Sequence, residues 1–219
     1  MIPLALQSFS ASLPPEGYFE VIVDALRDKG WIVLPNFVDQ SFWLPLLQRA
    51  QSIDDYTPAG IGRGDSFREN PFVRSDAIRW LDRDNGEDGQ WLALMEELRL
   101  VLNSRLFLGL FEFECHYASY GCGSFYKRHL DAFKGQGIRI LSVVLYLNPQ
   151  WQPGDGGEFV IYPEDAPEGH AFLPRAGTMA VFLSEDFPHE VLPANRVRYS
   201  IAGWFRINTT TGEILDPPH

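Results

Sequence analysis

Cysteine is nearly absent from this chain: Cys115 and Cys122 are the only two in 219 residues. If their region is a strand, the odd spacing sends the side chains to opposite faces, which argues against a disulfide. Free buried thiols in a reducing compartment are the expectation. No apolar run approaches the roughly 20 residues that a spanning helix needs, which excludes a helical membrane protein. The N-terminus, MIPLALQSFSASLPPEG, has no basic leading segment and makes a weak signal peptide, so a soluble, cytoplasmic protein with no membrane partner is expected. Positive charge is also scarce. Lys and Arg number 18 against 29 Asp and Glu, for a net charge of −11. Such a surface repels phosphate backbones, so nucleic acid is a disfavoured partner. One local exception is the stretch Arg63 to Arg83, which carries five arginines. Internal repeats and low-complexity tracts are missing too, and nothing in the residues speaks to oligomeric state.

What is present is a globular composition, 45% hydrophobic and 14% aromatic, enough for one substantial core. One domain over residues 1–219 is expected. The first half, through residue 110, reads as helical support. Phe19, Ile22, Val23 and Leu26 mark an amphipathic helix from Gly17 to Lys29, stopped by Gly30. Trp31–Leu34 reads as a short buried strand. Asp39 caps a second helix to about Gln51, with Phe42, Trp43, Leu46 and Leu47 inward. A third helix is expected from about Gly89 to Leu106. Between the last two, residues 57–88 read as a long loop, and loops of that length inside compact domains are commonly functional or mobile.

From residue 111 to 208 the pattern changes to short strands broken by glycine and proline. Phe113–Tyr120, Ser124–His129, Ile138–Leu147, Glu158–Tyr162, Ala171–Leu173, Thr178–Leu183, Glu190–Leu192 and Tyr199–Ile207 are the candidates. Helices followed by about eight strands predict a mainly β fold, a jelly roll with helices on one outer face and a short tail over 209–219.

The chemistry begins at His129-Leu-Asp131. On a strand, positions i and i+2 share a face, so one metal ion can take both side chains. With five His and fifteen Asp, about 0.3 such pairs arise by chance, so the pair alone is weak. His189, at the lip of a later strand, supplies a third ligand. Two histidines and a carboxylate on one face of an octahedral ion leave three positions open, the arrangement of non-haem iron oxygenases. Nine residues on, Arg198 opens an otherwise apolar strand. Its guanidinium offers a fork for a carboxylate and is costly to bury without one.

These residues sit in an ordered series: Tyr120-Gly-Cys-Gly-Ser-Phe-Tyr126-Lys-Arg-His129-Leu-Asp131, Leu145-Tyr146-Leu-Asn148, Trp151, Gly156-Gly-Glu158, His189-Glu-Val191 and Arg198-Tyr-Ser-Ile-Ala-Gly-Trp204-Phe. From Phe113 to Arg206 the chain resembles the 2-oxoglutarate oxygenase superfamily. Within it, the likeness is to the prolyl 4-hydroxylase branch, the bacterial relatives of the hypoxia-sensing prolyl hydroxylases. The resemblance implies a double-stranded β-helix with iron(II) on His129, Asp131 and His189. It implies 2-oxoglutarate and O2 as cosubstrates, and ascorbate as an auxiliary reductant. Arg198 would pair the distal carboxylate of 2-oxoglutarate, with the Tyr146 hydroxyl beside it. Tyr120 and Tyr126 match tyrosines near cosubstrate and iron, and Trp204 an aromatic on the substrate side. The implied reaction is hydroxylation of a prolyl residue in a protein, with elongation factor Tu the candidate target, yielding succinate and CO2.

Three other readings compete. A 2-oxoglutarate oxygenase could act on a small molecule. A nucleic-acid demethylase would use Arg206-Ile-Asn208-Thr-Thr210, but Gly212 stands where that family keeps another arginine. A non-enzymatic metal-binding jelly roll would need neither Arg198 nor Tyr146.

Overall fold

The computed structural model describes residues 17–60, 70–132 and 138–208. Helix α1 (Tyr18–Lys29) buries Ile22, Val23 and Leu26, and Gly30 closes it in the left-handed region at φ 78°. The Gly30 N–H returns to the Ala25 and Leu26 carbonyls at 3.1 Å each. A Cβ there would come within 2.7 Å of the Phe187 ring, so conformation and space both ask for glycine. Strand β1 (Trp31–Leu34) follows, then α2 (Gln40–Ser52), whose Asp39 cap accepts from the Phe42 N–H. Phe42, Leu46 and Leu47 face the core as expected, and Trp43 is half-buried.

The region expected to be one long loop is partly sheet. Strands β2 (Thr57–Pro58) and β3 (Ala77–Trp80) pair with each other, and β3 lies along β4 (Leu110–Tyr120). Residues 61–69, including Arg63 and Arg68, lie outside the described residues. Of the arginines among the described residues, Arg74 pairs with Asp76 and Arg79 with Asp55. Helix α3 (Gly86–Leu106) starts a turn earlier than expected. Asn85 caps it, its side chain accepting from the Glu87 and Asp88 N–H groups, and the two acidic residues suit the positive helix end.

Seven further strands complete the fold: β5 (Tyr126–His129), β6 (Arg139–Tyr146), β7 (Phe159–Ile161), β8 (His170–Phe172), β9 (Met179–Leu183), β10 (His189–Val191) and β11 (Arg198–Ile207). They form a seven-stranded sheet in the order β1-β9-β6-β11-β4-β3-β2 and a four-stranded sheet in the order β5-β10-β7-β8. Every ladder is antiparallel. The expected jelly roll is present: among the described residues the eight strands β4 to β11 match the eight expected from residue 111, β1 is as expected, and β2 and β3 are additional.

Alternation along the central strands decides what each face does. On β11, Ile201 and Phe205 turn to the helices, joining Phe113, Tyr117, Leu141, Val143, Leu145, Met179 and Val181 against Leu46, Trp91, Met95 and Leu98. Arg198, Ser200, Ala202, Trp204 and Arg206, the alternate set, face the interior between the sheets. Cys115 is buried with the helical core, whereas Cys122 is exposed, so only one thiol follows the buried expectation; both are free. No helix among the described residues is long and apolar enough to cross a membrane.

Candidate metal and cosubstrate site

The fold brings three candidate ligands together by register. His129 ends β5 and His189 begins β10, and the antiparallel pairing sets them directly opposite each other. Their ring centroids are 4.3 Å apart. Past β5, the Ala132 N–H reaches the Ser184 carbonyl at 3.3 Å, which carries Asp131 into the space between the sheets. Asp131 Oδ1 then lies 3.5 Å from His129 Nε2, and Oδ2 lies 3.6 Å from His189 Nε2. All three residues offer a donor atom within 4.8 Å of the others. Donors about 2.1 Å from a shared ion stand roughly 3 to 3.6 Å apart, so the set fits one cation.

Its protonation suits a metal as well. Each histidine has Nδ1 against a backbone carbonyl, His129 on Lys127 at 2.7 Å and His189 on Phe187 at 3.0 Å. A carbonyl only accepts, so Nδ1 carries the hydrogen and Nε2 presents its lone pair to the ion. Burial pushes the His189 imidazole down to about 4, which keeps it neutral at pH 7. Burial works to raise the Asp131 carboxyl, but the two imidazoles and the Ser142 hydroxyl outweigh it and hold it well below the usual carboxylate range. At neutral pH the site therefore presents the Asp131 carboxylate beside a neutral His189 imidazole.

Toward one end of this cavity lies Arg198, 1% exposed. Its Nε donates to the Gly157 carbonyl at 3.0 Å, and Nη1 to Ser200 Oγ at 3.3 Å. Among the described residues no carboxylate pairs with it. Its guanidinium carbon lies 4.8 Å from the Tyr120 ring centroid and 5.2 Å from that of Tyr146. The Tyr146 hydroxyl is buried with no hydrogen-bond partner. Burial raises the phenols of Tyr120 and Tyr146, so both stay protonated donors. A buried cation without an anion beside a buried donor without an acceptor is what a dicarboxylate cosubstrate would complete. Gly157 makes the cradle possible, because it sits at φ 66° and a Cβ there would meet the Arg198 Cδ at 3.0 Å.

The other aromatic candidates flank the metal position. Tyr126 stacks flat on His129, with centroids 3.5 Å apart and planes 14° apart. Behind it the Arg74 guanidinium caps the ring at 4.3 Å, itself gripped by Asp76 through two bonds of 2.8 and 2.6 Å. Trp204 stands on the same face of β11 as Arg198, six residues on. Arg139 covers its ring at 3.5 Å and pairs with Glu114 at 2.7 Å, and His116 lies 5.4 Å away.

Several of these contributors were not singled out from sequence. Arg74 and Asp76 sat in the supposed loop. Gly157 and Ser142 belonged to strings read for other reasons, and His116 reads as one more strand residue. Arg206, which imitated a demethylase arginine, is buried and ion-paired with Glu112, with Glu114 at 3.5 Å, so it is not offered to a cosubstrate. A separate cleft of about 490 Å³ opens between α3 and β4, lined by Arg83, Leu92, Glu96, Arg99 and Phe111. It lies outside this cavity.

His116 makes a pH prediction. It is buried between Trp80 and Trp204, and its Nδ1 has no partner. Burial, with Arg74 and Arg139 nearby, pushes its imidazole down to about 3, against the pull of Asp76 and Asp131. The unfolded chain therefore takes up protons first, so stability is full above about pH 6.5 and falls as pH drops toward 3. By pH 5 the loss assigned to His116 is about 2 kcal/mol. Urea unfolding of the metal-free protein at pH 7.5 and 5 should show that His116→Phe removes this share of the acid sensitivity. The same pH dependence in parent and variant would refute it.

Three comparisons with known proteins bear on the site. A profile described as 2OG-Fe(II) oxygenase superfamily matches residues 115–206. The chain is 30% identical to prolyl hydroxylase EGLN3 of Mus musculus over 206 residues, covering 85% of this chain and 82% of that protein. Among solved structures, a Pseudomonas putida prolyl-4-hydroxylase superposes with a TM-score of 0.79 at 41% identity, covering 86% of this chain and 98% of the other. A Trichoplax adhaerens prolyl hydroxylase, solved with a hypoxia-inducible-factor oxygen degradation domain peptide, gives 0.76 at 28% identity, covering 86% and 88%.

Proposed function

Because the chain belongs to the 2OG-Fe(II) oxygenase superfamily, whose members use iron(II), 2-oxoglutarate and O2, we propose that it hydroxylates a prolyl residue of a protein substrate. His129, Asp131 and His189 hold the iron, and Arg198 with Tyr146 receives the distal carboxylate of 2-oxoglutarate. The observation that carries this reading is the buried Arg198 without a carboxylate beside the buried, partnerless Tyr146 hydroxyl. A metal scaffold would have no use for either.

When bound, the iron with 2-oxoglutarate and O2 supplies the oxidising chemistry: the cosubstrate leaves as succinate and CO2, with one oxygen atom in succinate and the other in the hydroxylated product. The chain's own residues orient and shield. Arg198 sets the cosubstrate's distance and direction through a planar fork. Phe159 and Phe182 wall the His189 ring, at 5.7 and 4.6 Å between centroids, and limit water access. Tyr126 holds the His129 ring plane, and Tyr120 borders Arg198. Trp204 offers the substrate side an aromatic surface suited to a proline ring.

The peptidyl-proline substrate is supported by the related prolyl hydroxylases, one of them solved with a peptide. The target we propose is elongation factor Tu, a cytoplasmic protein, with ascorbate returning stray iron(III) to iron(II). The first experiment is an anaerobic titration of the metal-free protein with iron(II) and 2-oxoglutarate. A visible charge-transfer band requiring both additions is expected, followed by a gain of one oxygen on a proline of elongation factor Tu under air. Iron binding with no such band refutes the oxygenase reading; a band without modification of that protein refutes only the target.

A further inference from the structure

We propose that Ser142 is a positioning residue for the metal centre: backed by Ser184, its hydroxyl fixes one oxygen of Asp131 so that the carboxylate meets iron through the other. The proposal rests on Asp131 being an iron ligand. Ser142 is the one hydroxyl in the run Ile140-Leu-Ser-Val-Val-Leu145, and it lies on the inner face of β6 between Phe182 of β9 and Trp204 of β11. Its Oγ is 2.6 Å from Asp131 Oδ2 and 2.9 Å from Ser184 Oγ. Both serines are buried, at 1% and 0% exposure.

The direction of this chain follows from proton counting. A carboxylate only accepts, so the single Ser142 proton goes to Asp131. Ser142 Oγ is then left as an acceptor, and Ser184 must donate to it. Two bonds in series, out of water, reinforce each other. Ser184 also grips the backbone on both sides of the site. Its carbonyl accepts from the Ala132 N–H at 3.3 Å, and its own N–H donates to the Ile140 carbonyl at 3.0 Å.

A carboxylate with both oxygens free can chelate an ion and occupy two positions. Both oxygens face the histidines, Oδ1 at 3.5 Å from His129 and Oδ2 at 3.6 Å from His189; engaging Oδ2 with the hydroxyl favours Oδ1 as the single ligand, which would leave a metal position free. The same bond draws charge from the carboxylate, which alters the donor strength the iron feels.

The test compares Ser142→Ala, Ser142→Thr and Ser184→Ala with the parent protein, using anaerobic iron(II) competition binding and the visible spectrum with 2-oxoglutarate added. Ser142→Ala is expected to bind iron(II) roughly 10- to 100-fold more weakly and to shift the charge-transfer maximum. Ser142→Thr keeps the hydroxyl on a β-branched side chain suited to a strand, and is expected to restore both readouts. Ser184→Ala should fall between. Unchanged affinity and spectrum in Ser142→Ala overturn the proposal. So does a Ser142→Thr protein, folded by circular dichroism, that behaves like the alanine variant. A parent protein that binds iron(II) but gives no band refutes the oxygenase reading, while the iron affinities alone still decide the role of Ser142.

Discussion

Arg198→Ala is expected to weaken 2-oxoglutarate binding by about 30- to several-thousand-fold while leaving iron(II) binding intact. Removing one partner of a buried, hydrogen-bonded charge pair costs about 2 to 5 kcal/mol, which sets that range. Arg198 touches Gly157, Ser200, Tyr120 and Tyr146 but none of the three metal ligands, which is why the two affinities should separate. Arg198→Lys should recover only part of the loss. A lysine keeps the charge but cannot hold the Gly157 carbonyl and a carboxylate in one planar fork. Tyr146→Phe should cost less, about 10- to 100-fold, the value of one hydrogen bond to a charged group. Isothermal titration of the iron-loaded protein with 2-oxoglutarate without oxygen measures all three. Equal affinity in parent and Arg198→Ala would place the cosubstrate elsewhere.

The second large effect belongs to Asp131→Asn. The substitution keeps the shape and an acceptor for Ser142, but removes the one negative charge among the three candidate ligands. Loss of a charged ligand should exceed the roughly 10- to 100-fold cost of losing an outer-shell partner, so iron(II) affinity is expected to fall by more than about 100-fold. Thermal unfolding gives an independent check. At 100 times its dissociation constant, a ligand that binds only the folded state adds about 2.7 kcal/mol. The parent should gain that on iron(II) addition, and the variant should gain nothing at the same concentration. The metal-free variant should be less stable than the metal-free parent at neutral pH, because the folded state holds the Asp131 carboxyl below its usual range and so gains stability from its charge. An iron-dependent rise in the variant equal to that of the parent would remove Asp131 from the ligand set.

Much of this was legible because the physics involved is local. Gly30 ends α1 through its own backbone freedom, Asp39 caps α2 with its own side chain, and the alternation in β6, β9 and β11 follows from burial of one face against the helices. The His129-Leu-Asp131 spacing puts two ligands on one side for the same reason. What stayed hidden depends on partners far away in sequence. Ala77–Trp80 has no strong strand pattern and becomes a strand by lying along β4, some forty residues later. Arg74 stands in an arginine-rich stretch that reads as locally positive, but Asp76 and Tyr126 draw it inward. The Asn85 cap has a local signal, since asparagine ahead of Glu87 and Asp88 is a helix start, but it lies a turn before the first apolar residue of the stripe, Trp91. Ser142 had a faint signal as the one hydroxyl among aliphatic neighbours, but its meaning depended on where Asp131 would lie.

Strand β11 also acts as a measuring rod. Arg198 and Trp204 share its inner face six residues apart, which at about 3.3 Å per residue separates them by roughly 20 Å. The anchoring point proposed for the small acid and the surface proposed for the large partner are thus held at a span set by backbone length, independent of side-chain choice. Ala202, between them, leaves the gap as wide as a side chain allows. Lineages that diverge at one end can leave the other untouched, whereas a single inserted residue within the strand would turn Arg198 or Trp204 toward the helices. Drift in partner preference is therefore expected as substitution near Trp204, Arg139 and His116, at constant length between the two marks.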